Sequence, residues 1–123
     1  AFLEADERVG AVTWASLESS PHHERARRYL PQGAGSVLGF ELPGGLEAGR
    51  RFVDALTLHS HVANIGDVRS LVIHPASTTH SQLTEQEQRA AGIAPGFVRL
   101  SVGIEHIDDI LADLEQGLAA ASA

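Results

Sequence analysis

A chain of 123 residues with 43% hydrophobic residues is long enough to form one domain with an ordinary core. It has no cysteine, which excludes disulfides and thiolate zinc sites, and its formal charge of −7 opposes binding to a phosphate backbone. No apolar run is long enough to span a bilayer, so neither nucleic acid nor membrane is an expected partner.

All nine basic residues are arginine. The chain therefore has no side-chain amine to join to a carbonyl cofactor, and no phosphate-loop lysine. The charged start from Ala1 to Arg8 is not a secretory signal, and it has no initiating methionine. It reads as the tail of a helix cut from a longer chain. The cysteine-free composition fits a cytoplasmic location.

In chain order, residues 2–8 are expected to end a helix, and residues 9–14, β-branched and aromatic, to be extended. Ser19-Ser20-Pro21 is a helix-start signal, and residues 22–30 form a short charged helix that stops before Pro31. Residues 36–42 alternate, with Leu38, Phe40 and Leu42 facing one way, and predict a strand. Pro43-Gly44-Gly45 ends it. Residues 46–58 predict a helix whose buried face holds Gly49, Phe52, Val53 and Leu56.

Residues 59–65 read as a short extended stretch and Gly66-Asp67 as a turn. Residues 70–74 are a strand stopped by Pro75, followed by a polar loop over 76–83. Thr84 and Glu87 have capping-box spacing for a helix that runs to Gly92. Residues 97–102 give the clearest strand: Val98, Leu100 and Val102 share one side, and Phe97, Arg99 and Ser101 the other. Residues 106–120 give the clearest helix, with Ile107, Ile110, Leu111, Leu114 and Leu118 in one stripe. The expected fold is α+β, a mostly antiparallel sheet with helices packed on one face.

Arg99 is the most informative single residue. Its guanidinium fork can hold a carboxylate by two parallel hydrogen bonds. The pattern alone is equally served by a surface arginine or by an ion pair with Glu105, and these are the more economical accounts. The loop from His74 to Ser81 is rich in hydroxyls and imidazoles; a turn leading into the capped helix is the reading the sequence favours over a site.

His59 and His61 lie on one face of an extended stretch, and with His74 and His80 they raise the question of a metal. No HExxH and no spaced carboxylate set supports one, so no metal is assigned. His22 and His23 are placed at a solvated helix start. Glu105, Asp108, Asp109 and Asp113 read as a helix N-terminus and a wet face. No GxSxG, GxGxxG or phosphate-loop pattern is present, and the Gly33, Gly35, Gly44 and Gly45 clusters read as turns.

Two stretches carry a resemblance. Residues 70–80, SLVIHPASTTH, and residues 96–105, GFVRLSVGIE, resemble the C-terminal signature of the Cys/Met-metabolism pyridoxal-phosphate (PLP) enzymes. The resemblance runs over essentially the whole chain. Residues 31–36 (PQGAGS), 61–67 (HVANIGD) and 72–75 (VIHP) resemble the O-acetylhomoserine sulfhydrylase branch.

The resemblance implies the small C-terminal domain of a fold-type I PLP enzyme, residues 1–123 forming one substrate-binding domain without the PLP-binding large domain. It implies that Arg99 binds the substrate α-carboxylate, that Thr79 lines the same pocket, and that Asn64 stands beside substrate and cofactor lysine. It implies a γ-replacement in which acetate leaves O-acetylhomoserine, sulfide adds and homocysteine is released. It also implies a homo-oligomeric parent.

The cofactor lysine, the ring-stacking residue and the phosphate loop lie upstream in that family. Hence no catalytic or cofactor-binding residue is assigned to this chain, and the isolated chain is expected to bind no PLP and turn over nothing. Methionine gamma-lyase, cystathionine gamma-synthase and O-succinylhomoserine sulfhydrylase remain open as parents. A ligand-binding or oligomerising module, and a histidine-based metal hydrolase, are the readings of another class. A detached domain is expected to expose an apolar patch.

Overall fold

The computed structural model describes residues 1–123, with every side chain except that of Glu85. Five strands form one sheet: β1 (Val12–Thr13), β2 (Val37–Glu41), β3 (Ser60–His61), β4 (Leu71–Ile73) and β5 (Phe97–Ser101). Their order is β1-β2-β5-β4-β3, so β5 is central. Every pairing is antiparallel except β3 with β4. Four helices accompany them: α1 (His23–Tyr29), α2 (Gly45–Ala55), α3 (Glu85–Ala90) and α4 (Ile107–Ser122).

The core lies where α2 and α4 meet the sheet. Phe40, Val98 and Leu100 from the strands, Phe52 from α2 and Leu118 from α4 are each fully buried. Phe40 and Phe52 meet edge to face with ring centres 5.3 Å apart, the arrangement their ring quadrupoles favour. α2 buries Ala48, Gly49, Phe52 and Val53; α4 buries Ile110, Leu114, Gly117, Leu118 and Ala121. Gly117 is where the helices cross most closely, since a Cβ there would run into the Phe52 ring.

The α+β architecture and the helices on one face agree with expectation. The differences have local causes. Residues 2–8 hold only a 3-10 turn, Leu3–Ala5. Asp6 ends it: its carboxylate accepts from the Arg8 backbone N–H at 2.9 Å and from Arg8 Nε at 2.8 Å. The same guanidinium reaches Glu115 of α4 at 2.7 Å and ties the chain start to that helix.

The extended stretch after α2 shrinks to two residues because Asn64 and Gly66 turn the chain. Asn64 Oδ1 accepts from the next backbone N–H at 2.9 Å, and Gly66 has φ +72°. Ile107, placed in the apolar stripe, is 58% exposed.

Parallel strands ordinarily need a connection of about a dozen residues or more. β3 and β4 are joined by residues 62–70 alone, and the connection folds back over the sheet face that α2 and α4 leave free. The capping box of α3 forms as the sequence predicts, Thr84 accepting from the Glu87 N–H and Glu87 reaching back to the Thr84 N–H at 2.8 Å.

Candidate substrate-carboxylate site

Strand alternation sends Val98 and Leu100 into the core and Arg99 to the opposite face, at the middle of the central strand. Its cross-strand partners are Gly39 of β2 and Ile73 of β4. Gly39 has no side chain to crowd this face; the Phe97 ring lies where a Cβ would stand. Arg99 thus stands half-buried between the Phe97 ring over Gly39 and the side chain of Ile73. One Nη2–H donates to the Asn64 carbonyl at 3.2 Å. Among the described residues, no carboxylate oxygen lies within 4.0 Å of the guanidinium. With five N–H donors on the fork, most of its capacity is unspent.

The ion pair with Glu105, one of the two economical accounts of Arg99, does not form, whereas its half-exposed position is compatible with the other, a surface arginine. Glu105, the expected ion partner, turns instead to Ser70, accepting from its N–H at 2.6 Å and its hydroxyl at 2.8 Å.

The structure brings Arg99 and Asn64 together, but through the Asn64 backbone; the exposed Asn64 side chain accepts from Ile65. Thr79 is exposed, and its hydroxyl shares a 2.9 Å hydrogen bond with His80 Nδ1, not with Arg99 or Asn64. Its loop is well held. His74 is buried, with Nε2 donating to the Pro95 carbonyl at 2.6 Å and Nδ1 accepting from the Ser77 hydroxyl at 2.9 Å. Burial lowers the His74 pKa, and the positive charge of Arg50 adds to that. Gln88 Nε2 donates to the carbonyls of Ala76 and His80. The 3-10 turn Pro75–Ser77 leads from β4 toward Thr79.

The histidines do not converge. His59 is buried against Asp113, His61 is exposed, and the His23 ring lies 3.1 Å from the carbonyls of Ser16 and Leu17. Among the described residues, no three histidine, aspartate or glutamate side chains could share a metal ion.

Asp113 and Glu105 do not lie on a wet face, as their pattern predicts, but turn inward. Asp113 Oδ1 accepts from the N–H groups of Thr57 (2.7 Å) and Leu58 (3.0 Å), and Oδ2 from the His59 N–H (3.0 Å) and ring (2.7 Å). Burial alone would raise its pKa, but these donors outweigh it and hold the carboxyl well below its ordinary range. Helical spacing carried a signal for this: Asp113 lies between Ile110 and Leu114 on the buried side of α4.

An apolar groove of about 190 Å³ opens on the other face, lined by Phe2, Trp14, Leu17, Leu38, Val102 and Ile107 among others. Among the described residues, no helix is long and apolar enough to cross a membrane.

A mid-strand arginine without a carboxylate partner among the described residues, on a half-covered α+β sheet, is the arrangement anticipated for an amino-acid enzyme's small domain, and residues 1–119 match the family model described as Cys/Met metabolism PLP-dependent enzyme. The chain belongs to that family. It is 54% identical over 119 residues to the O-acetyl-L-homoserine sulfhydrylase of Corynebacterium glutamicum, covering 97% of this chain and 27% of the relative. It is 46% identical to the L-methionine gamma-lyase of Pseudomonas putida, covering 98% of this chain and 30% of the relative. Its fold superposes with TM-score 0.86, at 41% identity, on a Campylobacter jejuni O-acetylhomoserine (thiol)-lyase structure that carries a pyridoxyl-lysine; the match covers 96% of this chain and 28% of that one.

The chain thus spans less than a third of the length of these relatives. Its residues do not fit the covalent attachment of PLP, because none of them is lysine.

Proposed function

We propose that this chain is the C-terminal, substrate-holding domain of a PLP-dependent transferase that makes homocysteine from O-acetylhomoserine and sulfide by γ-replacement. The observation that carries this reading is Arg99, a half-buried guanidinium at the centre of the sheet, without a carboxylate partner among the described residues of an acidic chain. An amino-acid carboxylate supplies that partner, and two parallel bonds would fix the substrate's orientation. The Asn64 carbonyl steadies the fork from one side. Thr79 and the Asn64 amide stand as further substrate contacts, reached when the cleft is completed by the larger domain. PLP, held in that domain, supplies the electron sink. The apolar groove at Phe2 and Ile107 is the surface we assign to contact with the rest of the parent.

A second reading, a methionine gamma-lyase domain, is favoured by the 46% identity to such an enzyme. The test is to purify the full-length enzyme containing this chain and follow two reactions, homocysteine formation from O-acetylhomoserine plus sulfide, and thiol release from methionine. The first is expected to dominate; dominant thiol release moves the assignment to the lyase. The 123-residue chain alone is expected to show neither reaction and no PLP absorbance. Turnover by the pure fragment would overturn its role as a substrate-holding piece.

A further inference from the structure

The connection that brings Asn64 to Arg99 is exposed from residue 61 to residue 66, and within it only local turn hydrogen bonds, such as Asn64 N–H to the Val62 carbonyl, shape its path. Its two ends are fixed unusually well. At the start, the Asp113 carboxylate collects Thr57, Leu58 and His59, and its side chain is only 3% exposed. At the end, Glu105 collects the N–H and hydroxyl of Ser70; that hydroxyl accepts from the Gly103 N–H at 2.9 Å, and the Ile104 N–H donates to the Val68 carbonyl at 2.9 Å. Both carboxylates stand on the run of chain that continues directly from Arg99's own strand into α4.

From this geometry we infer that Asp113 and Glu105 are positioning residues that clamp both ends of the 60–70 segment, so that the Asn64 carbonyl meets Arg99. The inference rests on the assignment of Arg99 to the substrate carboxylate. Asp113 does more than pair with His59, whose Nε2 is buried without a hydrogen-bond partner among the described residues. An apolar residue in its place would leave the N–H groups of Thr57, Leu58 and His59 without their acceptor, three successive backbone positions that the carboxylate lines up. That acceptor defines where the segment leaves α2.

The clamp is tested by two measurements. In the full-length enzyme, Asp113→Asn and Glu105→Gln are each expected to raise the KM for the amino-acid substrate about tenfold while kcat stays within about twofold, the mark of lost uniform binding. In the same enzyme, followed by amide hydrogen exchange, Asp113→Asn is expected to speed exchange at residues 57–65 about tenfold, with β2 and β5 amides keeping their protection. An unchanged KM in a folded variant with a lowered melting temperature overturns the clamp, as does exchange that rises equally in β2 and β5. Should Asp113→Asn fail to accumulate as folded protein, Glu105→Gln decides the question from the other end. Arg99→Ala serves as the reference: if it leaves KM unaltered, the carboxylate assignment falls; if it raises KM and neither clamp variant does, only the clamp falls.

Discussion

Arg8 and Arg99 are both partly covered, and their surroundings differ in one decisive respect. Arg8 is gripped by two carboxylates, Asp6 at 2.6 Å and Glu115 at 2.7 Å. Arg99 meets one carbonyl. The chain has 16 acidic residues for nine arginines, so carboxylates are not scarce. The nearest candidate in sequence, Glu105, is spent on Ser70. A fork saturated from within serves as a tether, and the open fork is the one to which the proposal above gives a ligand.

The contrast can be broken most severely by Arg99→Ala in the full-length enzyme. Losing a bidentate charged contact is expected to raise the substrate KM about 100-fold, read from initial rates against O-acetylhomoserine. Arg99→Lys sharpens the point: charge is kept and the fork lost, so KM is expected to rise about tenfold. Arg8→Gln is the counter-test. It removes the tether and is expected to leave KM within about twofold.

Acid sets the two regions apart again. The folded pKa of Asp113 lies below its ordinary 3.8, so the unfolded chain takes up that proton first. Its stabilising contribution is complete above about pH 4 and fades as pH falls below that, and Asp113→Asn is expected to flatten this limb of a melting-temperature profile. Asp6 is held down to about 2 chiefly by the Arg8 side chain, so it acts in the same direction. Being nearer solvent, its share is expected to shrink with added salt, while that of Asp113 persists.

Much of the framework was legible because it depends on local rules. Alternation in residues 97–102 and 36–42 located the two longest strands and the side on which Arg99 stands. Thr84 and Glu87 announced their capping box. What stayed hidden depends on long-range pairing. Asp113 reads as one more acid on a helix until α4 is laid against α2, when its carboxylate meets residues 57–59. The Arg99–Glu105 ion pair was plausible from spacing alone, and only the β4 register, which brings Ser70 to Glu105, removes it. Asn64 was flagged by resemblance for its side chain, yet the atom that reaches Arg99 is its carbonyl, which no side-chain pattern encodes.

The sheet's outer strands, β1 and β3, are two residues long each. An edge this brief gives a neighbouring backbone almost no ladder to join, and the longer strands β2 and β5 are flanked on both sides. Short rims of this kind lower the chance that the chain stacks through its strands, a consequence that follows from the sheet's outline and not from its core.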